Sequence, residues 1–393
     1  VSPSTENADL SDIHRIELGE RIASNMKEKR AARCSLQANR VWRFPAVLTA
    51  VVAILAVASA SLAQEKPRML FEEDVAAFAV SQDNKIVCSV PRVKRIKKIV
   101  IERDDVWVVA PNGNRKRIVD GEKFMPVPPP TTYVVDSLAW SPDGRRIAMS
   151  MNIQVISTED TSAVTGGKQI ALLEEDGQEV KVAGSKARFI EDAWNGAWLA
   201  DGQTVVYLTG VGPYKIMRVR PSDGKITELF EGHTFDAVTW DAKRNQAFAV
   251  GRNLSISGRL ALVQLDLANE TVREISRLEE FYGRLSVSSS GKRIGYFENG
   301  DTITVIDVAN PQKPTRVRAG IGRFEFAREE PRVLLKRGPE EKSGDLVWVG
   351  LTDGSFRPIL HDLLVHDFKI APDSESIVVT DPGKRILKVY PLQ

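Results

Sequence analysis

Cysteine is nearly missing from this chain: Cys34 and Cys88 are the two in 393 residues. That excludes a disulfide-held scaffold and leaves packing as the source of stability. Histidine is also scarce. His14, His233, His361 and His366 show no metal-ligand spacing, so no metal is expected. Net charge is close to zero, with 54 Lys+Arg against 52 Asp+Glu. Such a balance gives no reason to expect a nucleic-acid partner. Long apolar runs are absent except for 44–63, which excludes a polytopic membrane protein. The 42% hydrophobic and 27% charged content excludes a disordered or collagen-like chain.

The small basic excess is unevenly placed. Residues 1–63 hold eight Lys/Arg and six acids, which leaves 46 of each sign for 64–393. The bases concentrate in 26–43, just ahead of the apolar run, and that run ends in Ser61-Leu62-Ala63. This is the layout of an export leader, with cleavage expected between Ala63 and Gln64. The alternative is an uncleaved signal anchor, because 44–63 is about as long as a spanning helix of ~20 residues. Three regions follow. Residues 1–25 are a disordered extension or lie ahead of a start at Met26; 26–63 are the signal peptide or anchor; 64–393 are the globular part. Both readings place 64–393 outside the cytoplasm, as a periplasmic or secreted protein or one anchored in the inner membrane. Membrane contact is expected only through 44–63, if uncleaved.

The clearest internal pattern is Ser137-Leu138-Ala139-Trp140-Ser141-Pro142-Asp143-Gly144-Arg145-Arg146-Ile147-Ala148-Met149. It reads as a strand, a tight turn and a second strand, since Pro142 fixes φ and Gly144 tolerates a positive one. Six further copies are more worn. Their anchors, with Trp140, are Val80, Trp140, Trp198, Trp240, Val287, Phe326 and Ile370, separated by 60, 58, 42, 47, 39 and 44 residues. Propeller repeats run ~40–50 residues. One place before the anchor small residues dominate: Ala79, Ala139, Ala197, Thr239 and Ser286. Two places before stand Phe78, Leu138, Gly196, Val238, Leu285, Phe324 and Phe368. These columns predict an inner strand buried on both faces. A second and a third apolar run follow each turn, then a short fourth one, placed at 180–182 in the second repeat. The last repeat lacks its fourth run, and 69–71 is left over at the start, so an N-terminal strand is expected to close the ring. The fold class is therefore all-β: one β-propeller of seven four-stranded blades, or six if 321–360 is an elaborated connection.

The 137–149 segment resembles the repeat of TolB-type, WD-like (PD-repeat) bacterial β-propellers. The resemblance covers roughly 68–393, and 137–149 is the copy close to the motif. It implies a cell-envelope location and protein–protein contacts. The chain departs from TolB itself, which carries a separate α/β domain before its propeller; 64–68 leaves no room for one. The Trp-Asp ending of eukaryotic WD repeats is also absent.

In a propeller the starts of the innermost strands ring one mouth of the central channel. Four and three places before the anchors, this sequence offers Asp136, Trp194, Asp236, Arg284, Arg323, His366 and Asp367. Such a set could solvate the funnel or bind a ligand or peptide end. No catalytic residue is expected, because no Gly-x-Ser-x-Gly elbow occurs. No cofactor is expected either: Gly166-Gly167-Lys168-Gln169 lacks the rest of a phosphate loop and reads as a hairpin or loop. Two insertions stand out. Residues 91–105 are basic and partly alternating, between the second and third strands of the first repeat, and 126–130 are a proline-rich connector. The functional expectation is a non-catalytic scaffold for envelope proteins. The alternative is a ligand sensor or enzyme working at the channel mouth.

Overall fold

The computed structural model describes residues 68–125, 130–157, 163–252, 259–328, 331–338, 344–363, 367–372, 376–381 and 386–391. The leader, the connector at 126–129 and His366 lie outside the described residues. The described chain is strands joined by turns, with one short α-helix, α1 (Gly121–Phe124), after the first repeat and a 3-10 turn at Ala242–Arg244. No helix among these residues is long and apolar enough to cross a membrane.

The strands form six sheets, five in the ring and a sixth that closes it. Each repeat runs antiparallel from the axis outward, because the turn at its anchor folds the second strand back on the first. Trp194–Trp198, Val205–Thr209, Lys215–Arg220 and Lys225–Leu229 form one such sheet. The next contains Ala237–Asp241, Gln246–Gly251, Ala261–Asp266 and Thr271–Arg277. Tyr282–Val287, Arg293–Glu298, Thr302–Asp307 and Thr315–Arg318 follow, then Gly322–Phe326, Arg332–Arg337, Gly344–Gly350 and Phe356–Leu363. The closing sheet joins Asp367–Ile370, Ser376–Asp381 and Ile386–Pro391 to Arg68–Phe71 from the other end of the described chain. Ring closure by an N-terminal strand therefore occurs as expected, and Leu70 and Phe71 are buried by it.

The first two repeats are not separate sheets. Phe78–Val80, Ile86–Ile96, Ile99–Val109 and Arg115–Val119 share one eight-stranded sheet with Thr131–Trp140, Arg146–Ile156, Ala163–Glu174 and Ile190–Glu191. The halves meet at a single parallel bridge, Arg103 to Tyr133. The insertion at 91–105 explains the fusion: it lengthens both strands of a hairpin, so 102–104 run alongside 131–135. Thr132 Oγ1 donates to the Glu102 carbonyl at 2.5 Å, and Tyr133 Oη to the Asp104 carbonyl at 2.6 Å. Arg103 Nε donates to the Thr131 carbonyl at 2.8 Å.

Three expectations need correction. The strand buried on both faces is the second of each sheet: Val205–Thr209 is buried at four of five positions, whereas Ala237–Asp241 is buried only at Asp241. Inner strands such as Ala237–Asp241 and Tyr282–Val287 are open on the channel side, whereas Trp194–Trp198 is buried at its last three positions. The outer strand of the second repeat is Ile190–Glu191, while 180–182 is not strand. Residues 166–169 are strand interior, with Lys168 opposite Asn152.

Candidate functional site: the central channel

Strand alternation sorts the inner strands into two faces. Two places before the anchors, Leu285, Phe324 and Phe368 are buried, with Leu285 and Phe324 also reaching the wall of the cavity described next. Three places and one place before, Arg284, Ser286, Arg323, Glu325 and Lys369 line a cavity of about 900 Å³. Inner strands and turns of several sheets contribute to it, from Asn84 in the first repeat to Pro372 in the closing sheet.

Of the seven mouth residues expected from sequence, the structure groups three here. Arg284 and Arg323 line the cavity, and Arg323 forms an ion pair with Asp367 through Nη1 and Oδ1. The Arg323 guanidinium also lies 5.8 Å from the Phe368 ring centroid, which orients it over its partner's strand. Asp367 is held in turn by the Phe368 N–H at 2.7 Å.

Asp136, Trp194 and Asp236 do not line this cavity. They stand four places before their anchors, where Gly283 and Gly322 are the described residues that reach the cavity. The strands are further offset by register shifts between Val135 and Ser137 and between Trp194 and Ala197. Asp136 and Trp194 share a different neighbour, Lys168. Its Nζ lies 4.2 Å from the Trp194 ring centroid. Burial raises the Asp136 carboxyl and the Lys168 ammonium opposes that shift. Trp194 meets Tyr214 edge-on at 4.6 Å. Asp236 is fixed by its backbone, whose N–H donates to the Val250 carbonyl at 2.7 Å.

Sequence reasoning missed Glu325, Lys369, Lys243 and Arg328 as channel residues. Glu325 and Lys369 were detectable. They occupy the place before the anchor where other repeats carry small side chains, so each adds a charge to the channel wall. They form an ion pair across adjacent inner strands, and the Ile370 N–H donates to the other Glu325 oxygen at 3.1 Å. Lys243 and Arg328 follow their anchors in turns whose worn sequences gave no pattern.

No group of His, Cys, Asp or Glu among the described residues could hold a metal ion. The arrangement can bind by charge and hydrogen bonding.

No family model matches the sequence, and no curated protein matches it. In structure, 1183 solved chains match, a breadth that marks a common architecture and leaves function open. One belongs to a structure described as the crystal structure of the mitotic checkpoint complex. It aligns with a TM-score of 0.55 over 91% of this chain and 100% of that chain, at 12% identity. At that identity the likeness is one of fold: the chain is a β-propeller resembling the WD-like kind.

Proposed function

We propose that this chain is an exported, non-catalytic propeller of the TolB-like, PD-repeat kind that acts as a protein-interaction scaffold in the bacterial cell envelope. In this reading the eight-stranded sheet is two fused blades, and with the other five sheets it makes seven. The leader-like 26–63 supports export, and the closed ring supports a scaffold, since propellers often serve as one.

The observation that carries the reading is the extended hairpin of the first repeat. Ile86–Ile96 pairs with Ile99–Val109 along its whole length, from Ile86 opposite Val109 to Ile96 opposite Ile99. Its first five residues are buried and the rest are not. In the outer part Val93 is 67% exposed, Val100 50% and Ile96 39%, among Arg95, Lys97 and Lys98. Apolar side chains held in water on an ordered hairpin, rimmed by charge, suit a partner surface. Because 64–393 is formally neutral, the preference for an acidic-rimmed apolar partner is local to this hairpin.

A photo-crosslinking residue at Val93 or Val100, used in intact cells, tests this. A discrete adduct with one envelope protein is expected, lost when Val100→Glu is combined with Val93→Glu. Absence of an adduct at both positions, or recovery of the chain in the cytoplasm, would overturn the scaffold reading.

A further inference from the structure

The channel holds a charge imbalance that the fold does not neutralise. Five cations line the cavity, Lys243, Arg284, Arg323, Arg328 and Lys369, against one carboxylate, Glu325. Two cations are neutralised, Arg323 by Asp367 and Lys369 by Glu325. Three are not. Arg328 Nη1 donates to the Pro372 carbonyl at 3.0 Å, which satisfies one donor and leaves the charge in place. Lys243 acts on Asp241, whose two oxygens are already taken by Arg244 Nη1 at 3.0 Å each. Arg284 is exposed to the cavity and has no hydrogen-bond or ion-pair partner among the described residues.

These three charges lie at two levels. Arg284 is three places before its anchor, whereas Arg328 is two places after its own. Ser289, on the Arg284 chain, is level with Arg328 and donates to its carbonyl at 3.0 Å. The strand runs on from Arg284 to Val287, about 10 Å, before the turn that carries Ser289 begins. Lys243, three places after Trp240, likewise lies in the turn beyond its inner strand and lines the same cavity. The positive groups therefore face the channel from both ends, with neutral polar groups such as Thr239 and Ser286 between them. A cavity of about 900 Å³ is the size of a small-molecule site. Its walls exclude part of the solvent that would screen these charges and so strengthen attraction for a multivalent anion.

We propose that the central channel binds a small elongated polyanion, a phosphate chain or a polycarboxylate, with Arg284 gripping one end and Lys243 with Arg328 the other. This goes beyond the scaffold reading and stands independently of it: a channel that binds nothing would leave the hairpin adduct unchanged.

Isothermal titration of the full chain, kept in non-ionic detergent for its apolar 44–63 segment, tests the proposal with tripolyphosphate, citrate and inorganic phosphate. One molecule of tripolyphosphate or citrate per chain is expected, about tenfold or more tighter than phosphate, and the better of the two identifies the class of anion. Arg284→Gln should weaken it about tenfold with an unchanged thermal midpoint, since Arg284 has no structural partner. If that variant does not fold, Lys243→Gln is read in its place. Arg318→Gln, on an exposed outer strand, should bind like the parent. Failure of both long anions to bind, or equal weakening by Arg284→Gln and Arg318→Gln, would overturn the proposal.

Discussion

Arg146 Nη1 donates to the carbonyl of Gly202 at 3.0 Å, reaching from one repeat into the turn of the next. Lys85 Nζ does the same to Gly144 one repeat earlier, also at 3.0 Å. Both cations directly precede the first buried isoleucine of their second strand, Ile147 and Ile86. Each also lies over the next anchor tryptophan, Arg146 at 5.5 Å from the Trp198 centroid and Lys85 at 5.4 Å from Trp140. Carboxylates hold them from the side, Glu174 for Arg146 at 3.1 Å and Glu175 for Lys85 at 2.9 Å. The same small device therefore fastens the first repeat to the second and the second to the third. The receiving glycines have φ of +67° and +60°, a conformation that exposes the carbonyl and suits glycine.

Replacing Arg146 with Met keeps the apolar stem and removes the clasp. A hydrogen bond from a charged group contributes about 1.5–3 kcal/mol. Arg146→Met should therefore lower the unfolding free energy from urea titration by about that amount, seen as a lower midpoint at unchanged slope, and an unchanged midpoint would show that the clasp adds nothing.

Gly295 lies against two aromatic rings. A Cβ there would come within 2.7 Å of Phe324 and 3.1 Å of Phe326, both buried in the adjacent sheet. Phe324 is held between Phe297, edge-on at 5.4 Å, and Phe326 at 5.9 Å, so it must shift that cluster to make room. Overpacking of this kind costs about 1–3 kcal/mol. Gly295→Ala should be destabilised by that amount in chemical denaturation, while Gly354→Ala, in an open turn, should show only the smaller effect of its positive φ.

Asp104 should make stability depend on pH. Burial pushes its carboxyl up to about 7 from 3.8, although the Val135 N–H at 2.9 Å and the Ser89 hydroxyl favour the charged form. The folded value lies above the unfolded one, so the folded state holds the proton more tightly. Its contribution is fully present below about pH 3.8 and is lost as pH rises through about 7. Asp104→Asn keeps an acceptor for Val135 without the titration. The difference in melting temperature, variant minus parent, should increase between pH 5 and pH 8; a flat difference would rule out the buried acid as its source.

Cys88 is fully buried in the second strand of the first repeat, and burial pushes its thiol up to about 12. Thiolate is the reactive form. A maleimide probe should therefore leave Cys88 unlabelled in native protein at pH 8 and label it on unfolding in guanidinium. Rapid native labelling would show that this strand opens.

Much of the architecture can be read from local patterns. The Ser-Pro-Asp-Gly turn at 141–144, the spaced anchors and the leftover 69–71 predict a ring of antiparallel sheets closed by an N-terminal strand, because turn chemistry and strand alternation act over a few residues. The candidate site was readable only in part. Arg284, Arg323 and Asp367 are brought together, whereas Asp136, Trp194 and Asp236 stand outside the cavity, two of them in strands offset by register shifts. The charged breaks in the small-residue column, Glu325 and Lys369, were the overlooked signal.

By itself, then, the sequence determined the all-β class, the repeat and its closure, because each repeat writes its own turn and apolar strands in consecutive residues. Only the tertiary structure decided which charges share the channel and that the first two repeats fuse. Those outcomes depend on register shifts such as that between Val135 and Ser137, and on contacts such as Tyr133 with Asp104, 29 residues apart. Such pairings arise where separate repeats meet, and no local pattern encodes them.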